Sequence, residues 1–352
     1  MHDVPTLEKG VTINCDFARF KVKKLLGKGG FGAVYLVEET VGHKLYAVKT
    51  ELLLSKHEKF VPKLQWEETI LLTIQDLKNE NYKKHFIKVV DRGTLPNVRF
   101  MLMTLVGKSL QDLKKARRRY CFSENTCWRI AIQTLEALEA FHVAGFVHRD
   151  IKPANYTIGG PGQEDIIFMI DFGLVRCYTK KKFSISVKDS PNFAGTIKYC
   201  SRSSHHSVYQ FPKDDLECWI MTILDLHHPD ALYWGRAFDI EEIKECKNEL
   251  FTGHEPDEIF DELVPSEYRK IVHAIGNLTP HDLLKIPNDY MKNKINMVPF
   301  FKALENMSES YGFSNTKPFD WQKELSKRNK MLSTDFLKGK STGRQKLHNK
   351  VL

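Results

Sequence analysis

Early in the chain, several runs alternate apolar or β-branched side chains with polar ones, which is the two-residue period of strands with one buried face. The runs are 20–27, 33–38, 44–50 and 99–105. The first three predict short antiparallel strands, and the fourth predicts another strand. Gly107 breaks the pattern, so a hinge is predicted at residues 104–107.

Apolar positions that recur every three or four residues predict helices with one buried face. The clearest pattern spans residues 125–144. The other predicted helices are 60–77, 110–116, 214–226, 266–277 and 286–305. The pattern therefore predicts an α+β fold with a β-rich first lobe, a helical second lobe and a cleft between them.

A glycine cluster joins the first two predicted strands, with Gly27, Gly29 and Gly32 in a Gly-x-Gly-x-x-Gly pattern. Glycines allow a backbone to approach phosphates closely and to offer amide donors. The same pattern can open a dinucleotide-binding helix, but the residues that follow, 34–37, favour a strand. A hairpin that covers nucleotide phosphates is the better interpretation.

Two polar motifs follow the long predicted helix. One is His148-Arg-Asp-Ile-Lys-Pro-Ala-Asn155, and Asp171-Phe-Gly173 begins sixteen residues after it. Phosphoryl transfer to a hydroxyl needs a carboxylate beside the hydroxyl and oxygen ligands for magnesium. Asp150 is therefore predicted to accept the hydroxyl proton, Lys152 to steady the γ-phosphate, and Asn155 and Asp171 to bind magnesium. Either motif alone could be a surface loop, but their order and spacing together favour phosphoryl transfer.

Lys49 lies at the end of the third predicted strand, 17 residues after Gly32. Paired with a helix glutamate, such a lysine would hold the α- and β-phosphates of ATP. Glu67 and Glu68 both lie on the predicted helix at 60–77, and Glu67 is favoured. An isolated pair would more often be a solvated surface contact, so the prediction depends on the spacing.

Composition fits a soluble globular protein, with 42% hydrophobic and 28% charged residues. No run approaches the roughly 18 apolar residues of a membrane span, and residues 1–10 lack the pattern of a signal peptide. The seven cysteines are scattered and never spaced as Cys-x-x-Cys, which argues against a disulfide framework or a zinc site. A cytoplasmic monomer without membrane contact is expected, with nuclear access left open.

Most of the net charge of +9 lies at the C-terminal end. From Leu325 onward there are eight lysines and arginines and one acid, so this segment carries +7 and the rest about +2. Residues 326–352 predict a flexible solvated tail, because they have few aromatic residues and no sustained apolar period. The tail could serve solubility alone or bind an acidic partner such as a cytoskeletal surface, while nucleic acid is the less favoured partner.

Residues 15–325 resemble the eukaryotic protein kinases and, within them, the casein kinase 1 superfamily, with most similarity to the tau-tubulin kinase branch. The likeness rests on the motifs at 148–155, 171–174, 195–199, 214–216 and 319–321. It implies the bilobal kinase fold, the cofactors ATP and Mg²⁺, and serine or threonine residues of proteins as substrate. It also implies an extension at 1–14, a first lobe at about 15–104 and a second at about 107–325.

The resemblance further implies that adenine bonds to the hinge backbone at Thr104 and Val106, behind Met103. It implies that His148 and Arg149 act as braces and that Asp215 anchors the catalytic loop. The remaining implied ATP-binding residues are Gly27, Lys28, Gly29, Gly30, Phe31, Gly32, Val34, Ala47 and Lys49.

Departures from the wider kinase pattern lie on the substrate side. No Ala-Pro-Glu follows the activation segment, and Ser201-Arg-Ser-Ser-His205 stands there instead, as casein kinase 1 relatives also lack that motif. Ser203 replaces the asparagine of that family, and Tyr233 replaces the proline before Trp234. These changes put substrate docking in doubt and leave the ATP chemistry intact.

Lys198 stands where relatives keep an arginine that grips an acidic or phosphorylated substrate residue. Together with Lys188 and the lysines at 180–182, it predicts a preference for serine or threonine beside acidic or phosphorylated residues. The alternative is a merely solvated basic loop. Two rival functions also remain, a pseudokinase scaffold and a protein whose tail carries the main activity, but no phosphate or metal ligand of a kinase is missing.

Overall fold

The computed structural model describes residues 7–29, 32–53, 62–178, 193–278 and 295–323, with the Asp261 side chain excepted. The predictions for Gly30, Phe31, Lys188, the lysines at 180–182 and the basic tail lie outside these residues. Within them, no helix combines the length and the apolar character that a membrane crossing requires.

The first region is a six-stranded antiparallel sheet in the order β1-β2-β3-β4-β6-β5. Its strands are β1 Thr12–Asn14, β2 Arg19–Lys28, β3 Gly32–Glu39, β4 Leu45–Leu52, β5 Val89–Leu95 and β6 Val98–Thr104. The two edge strands were not predicted. β1 has only three residues, and β5 carries Asp91, Arg92 and Gly93 in its middle, so neither shows a sustained apolar alternation.

One helix, α1 (Lys63–Gln75), packs against this sheet. Pro62 precedes it and gives no side-chain cap. Instead the buried Glu51 of β4 accepts the backbone N–H of Leu64 at 3.0 Å, which satisfies one of the free amides of the first turn. The strand that carries Lys49 therefore also holds the start of α1.

The second region is mainly helical. Its helices are α2 Leu110–Lys115, α3 Glu124–Val143, α4 Arg202–His205, α5 Pro212–His227, α6 Ile240–Thr252, α7 Tyr268–Gly276 and α8 Val298–Tyr311. Its short strands are β7 Val106–Ser109, β8 Phe146–Val147, β9 Tyr156–Gly159, β10 Ile167–Met169 and β11 Arg176–Cys177. The predicted helix at 286–305 was wrong in its extent, because residues 295–297 are not helical and α8 continues to Tyr311.

The core of this region is formed by α3 and α5. Every residue of α5 is buried, and the Trp219 indole N–H donates to the Thr134 hydroxyl of α3 at 2.9 Å. Phe141 of α3 stacks on the fully buried Phe172 of the Asp-Phe-Gly motif, with ring centroids 5.6 Å apart. The polar motifs at 148–155 and 171–173 are therefore attached to the buried core of this region.

Candidate active site

Asp150 lies at the centre of a compact hydrogen-bonded group. The Lys152 ammonium is 2.6 Å from one carboxylate oxygen, and the Thr196 hydroxyl donates to the other at 2.8 Å. The Asn155 amide donates to the Asp150 carbonyl at 2.7 Å and to its carboxylate at 3.1 Å. The structure thus brings three of the predicted residues together and orients the Asp150 carboxylate from three sides.

Thr196 was missed as a site residue. Its hydroxyl also accepts from Lys152 at 2.9 Å, so it bridges Asp150 and Lys152. The preceding Gly195 has φ +112°, and a Cβ there would lie 2.7 Å from the Arg149 carbonyl oxygen. Only glycine allows this close approach. The signal was present in the Gly195-Thr196 pair, but only the folded chain places it beside Asp150.

Asp215 of α5 holds the start of the loop at 148–155, which carries Asp150. Its carboxylate accepts the backbone N–H groups of His148 at 2.7 Å and Arg149 at 2.9 Å, and it contacts His142 Nε2 at 2.9 Å. Burial alone would raise the pKa of Asp215, but the hydrogen bond and charge of His142 outweigh it, and the pKa is lowered. This geometry is that of the implied anchor.

His148 is fully buried between Phe141 and Phe172, with ring centroids within 6 Å of both. Burial lowers its pKa, against the opposing charge of Asp215 and other acids, so the neutral imidazole is favoured near pH 7. A neutral, enclosed ring suits a brace better than a proton carrier.

Lys49 and Glu67 form an ion pair between β4 and α1. Glu68 instead meets Arg92 at 2.8 Å, so the structure pairs Lys49 with the favoured of the two glutamates. Burial alone would lower the pKa of Lys49, but the attraction and hydrogen bond of Glu67 outweigh it, with a further contribution from Asp171, and the pKa is raised. Lys49 is therefore held as an oriented cation.

A cavity of about 370 Å³ lies beside this ion pair. Its lining includes the predicted residues Gly27, Lys28, Gly29, Gly32, Val34, Lys49, Glu67 and Asp171. A Cβ on Gly32 would lie 1.8 Å from the Thr50 carbonyl oxygen, so the neighbouring strands can close only around a glycine. The cavity is lined by the backbone of the glycine cluster, the Lys49 ammonium and the Asp171 carboxylate. This combination is suited to binding phosphates and a divalent cation.

The residues implied for adenine lie apart from that cavity lining. Ala47 and Met103 are buried and face each other across β4 and β6. The Thr104 amide already donates to the Lys88 carbonyl at 3.1 Å, so a nucleotide contact there would use the Thr104 carbonyl. Val106 begins β7, directly after the predicted hinge.

Asp171 and Asn155 provide oxygen ligands of the type that Mg²⁺ prefers. Asp171 has φ +63°, and its side chain is exposed in the lining of the cavity. The described residues contain no cluster of three or more His, Cys, Asp or Glu side chains that could hold a metal. One carboxylate and one amide oxygen fit a magnesium ion whose other ligands are water and phosphate oxygens.

Lys198 does not extend freely into solvent. Its ammonium is 2.7 Å from the fully buried Asp225, which also contacts Lys114 at 2.5 Å and accepts from the Tyr199 hydroxyl at 2.9 Å. About a third of the Lys198 side chain is exposed. The predicted contact with a substrate anion would therefore involve a cation that already has a partner.

A buried ion pair holds residues 201–205, which stand in the place of Ala-Pro-Glu, against α5. Arg202 donates to Glu217 of α5 through two side-chain nitrogens at 2.7 and 3.0 Å, and Lys213 contacts the same carboxylate at 2.7 Å. Burial would raise the pKa of Glu217, but Lys213 and Arg202 outweigh it, and the pKa is lowered. Arg202 thus supplies one cation from before α5, while α5 itself supplies the second cation, Lys213, and the anion.

We expect Arg202→Met to destabilise the fold by about 3 kcal/mol. The buried Glu217 carboxylate would keep the Arg202 backbone N–H, but Lys213 would be its one cationic partner among the described residues. Urea unfolding at pH 7 measures the change. A lowered native pKa makes the carboxylate stabilising above the ordinary Glu pKa, about 4.3, so the difference from wild type should shrink as pH falls below about 4. Arg236→Met, at a side chain 87% exposed, is the control and should cost under about 1 kcal/mol. Equal losses for both variants would contradict the assignment.

Comparison with known proteins adds the family. A model of the protein kinase domain matches residues 20–209, more than half of the chain. The chain belongs to the protein kinase family. The predicted α+β, bilobal kinase fold is therefore confirmed.

Three relatives from Caenorhabditis elegans refine this result. Two named as serine/threonine-protein kinases are each 34% identical, over 214 and 240 residues, or 60% and 66% of this chain. One named as a casein kinase I is 30% identical over 309 residues, 86% of this chain. The matches span 63% and 59% of the first two relatives and 83% of the third. A casein kinase 1 resemblance is supported by that name, and the tau-tubulin branch stays a prediction.

Proposed function

We propose that the protein is an active serine/threonine protein kinase of the casein kinase 1 type, which transfers the γ-phosphate of ATP to protein hydroxyls. The observation that carries the proposal is the group formed by Asp150, Lys152, Thr196 and Asn155, with the Lys49–Glu67 pair across the cleft. A pseudokinase would be expected to lack one of these groups, and all are present with contacts that orient them.

Magnesium-ATP supplies the phosphoryl group when bound. Asp150 accepts the proton of the substrate hydroxyl, and its direction is fixed by Thr196 and Asn155. Lys152 lies beside the same carboxylate, where an ammonium can offset charge on the transferred group. Lys49, oriented by Glu67, binds the other phosphates, and Asn155 and Asp171 would hold the metal. Most of the catalysis is thus positioning and electrostatics.

The test is incubation of the protein with Mg-ATP and either casein or acidic peptides, followed by phosphoamino-acid analysis. We expect phosphoserine and phosphothreonine without phosphotyrosine. Nucleotide binding without any transfer would favour the pseudokinase scaffold instead. Deleting residues 326–352 and comparing partner affinity at two salt concentrations tests the separate proposal that the tail targets an acidic partner such as the cytoskeleton.

We also propose a preference for serine or threonine beside acidic or phosphorylated residues. Two ammonium groups, Lys114 and Lys198, share the single carboxylate of Asp225, so one net positive charge remains in the cluster. Lys114 is 6% exposed and Lys198 is 33% exposed, so the accessible part of this charge belongs to Lys198. An anionic substrate side chain could approach it from solvent.

We expect a peptide array to show faster phosphorylation of acidic and phosphorylated sequences, and Lys198→Met to reduce that preference several-fold, in the range of about 1 kcal/mol for a partly exposed ion pair. Lys244→Met is a matched control, because Lys244 pairs only with the exposed Glu241 among the ion pairs found in the described residues. An array indifferent to acidic neighbours would refute the preference.

A further inference from the structure

Lys247 of α6 is an unusual residue for a protein interior. It is fully buried, with no exposed surface, and no carboxylate lies within ion-pair distance of it among the described residues. Burial lowers its pKa, although nearby groups, Cys200 foremost, oppose the shift. Burying a cation costs free energy of desolvation unless hydrogen-bond acceptors compensate it. The contacts of the Lys247 ammonium must therefore supply that compensation.

Those contacts are carbonyl oxygens of the activation segment. The Lys247 ammonium donates to the carbonyls of Ile197 and Cys200, both at 2.7 Å. Its third neighbour is His205 Nε2 at 3.0 Å. Burial, with smaller contributions from the charges of Lys247 and Lys244, lowers the pKa of His205 to about 4, so near pH 7 this nitrogen can accept the bond. The Cys200 sulfur is a fourth, longer contact at 3.5 Å, so all four hydrogen-bond contacts of the Lys247 ammonium found in the described part of the chain lie within residues 197–205.

A second donor completes the arrangement. The indole N–H of Trp234 donates to the Lys198 carbonyl at 3.0 Å. The carbonyls of residues 197, 198 and 200 are therefore all bound by side chains that follow α5 in the chain. We call Lys247 and Trp234 together the carbonyl clamp.

The clamp is connected to the site through one tight turn. The amides of Tyr199 and Cys200 both donate to the Thr196 carbonyl at 2.8 Å. Moving residues 197–200 would therefore move Thr196, whose hydroxyl lies between Asp150 and Lys152. Small displacements matter there, because the reaction depends on the positions of these groups.

We propose that Lys247 is a positioning residue for phosphoryl transfer. It holds the backbone of residues 197–200 so that Thr196 remains between Asp150 and Lys152. The proposal rests on the proposed kinase function, and it gives α6 a part in holding residues 197–200 in place.

The test compares Lys247→Met, which keeps chain length and removes every donor, with the wild-type chain. We expect kcat for a peptide substrate to fall by about tenfold to a hundredfold while the KM for ATP stays unchanged. Lys244→Met, one turn earlier on α6 and paired with the exposed Glu241, is the matched control and should keep the wild-type kcat.

Two further measurements separate positioning from a general loss of stability. If Lys247 acts through Thr196, the same substitution in a Thr196→Ala background should lower kcat by a much smaller factor. Hydrogen exchange of residues 196–205 should be faster in Lys247→Met than in the control. Should Lys247→Met fail to fold, Trp234→Phe tests the other half of the clamp, because it removes the indole donor to the Lys198 carbonyl together with part of the buried ring, and the same kcat and exchange comparison applies.

A folded Lys247→Met enzyme with wild-type kcat and exchange would overturn the proposal, as would an equal loss of kcat in both Thr196 backgrounds. Failure of the kinase function itself is distinguishable, because wild type would then transfer no phosphate while the exchange measurement still reports on the clamp.

Discussion

Asp150→Asn is expected to lower kcat by about 10²–10⁴-fold, the usual contribution of a positioned general base. Asparagine has nearly the same shape and can keep contacts with Lys152 and Thr196, so the loss should reflect the missing proton acceptor. Single-turnover kinetics with Mg-ATP and a peptide would measure it.

Asp165→Asn is the matched control, because Asp165 is an exposed aspartate and is not among the side chains that hydrogen-bond the Asp150 carboxylate in the described residues. It should retain the wild-type rate, and both variants should keep wild-type affinity for ADP. Equal rates for wild type and Asp150→Asn would contradict the assigned role of this carboxylate and leave the mechanism without its base.

Lys49→Met is expected to lower kcat/KM by about 10²–10³-fold, comparable to removal of one preorganised donor from a site of developing charge. The ion pair with the buried Glu67 fixes the ammonium, so its loss removes both the charge and the link between β4 and α1. Glu67→Gln should have a smaller effect of the same kind, since the ammonium remains but is less firmly held.

Lys23→Met provides a comparison within the same sheet. Lys23 pairs with Glu38 at 2.5 Å across β2 and β3, but both side chains are partly exposed. Loss of this pair should leave kcat/KM within about twofold of wild type, in line with the small worth of surface ion pairs. A comparable loss in Lys23→Met and Lys49→Met would indicate that the sheet, and not the phosphate contact, is responsible.

Local pattern predicted the elements that carry strong periodicity. The strands around the glycine cluster and the long helix now seen as α3 follow from alternation and from the three-to-four-residue spacing. Helix α6 was not predicted, because one of its buried positions is Lys247 and this charge interrupts the apolar face. The buried lysine is accommodated by backbone carbonyls, which the sequence pattern does not show.

The candidate site divides in the same way. Short motifs with strict spacing predicted Asp150, Lys152, Asn155, Asp171 and Lys49, because chemistry requires those residue types at those separations. Spacing could not show that Lys198 already has Asp225 as its partner, 27 residues away. A cation predicted to contact a substrate anion therefore already lies in an ion pair within the protein.

The sequence by itself determined the fold class, the order of the two lobes and the polar groups for phosphoryl transfer, since each depends on local period or on fixed spacing. The tertiary structure alone decided the contacts between distant segments. Thr196 donates a hydrogen bond to Asp150, and Arg202 forms an ion pair with Glu217. Lys247 donates hydrogen bonds to the carbonyls of residues 197 and 200. Such contacts depend on how whole elements pack. The partner of a buried charge is brought beside it by distant parts of the chain, so it cannot be identified from local sequence.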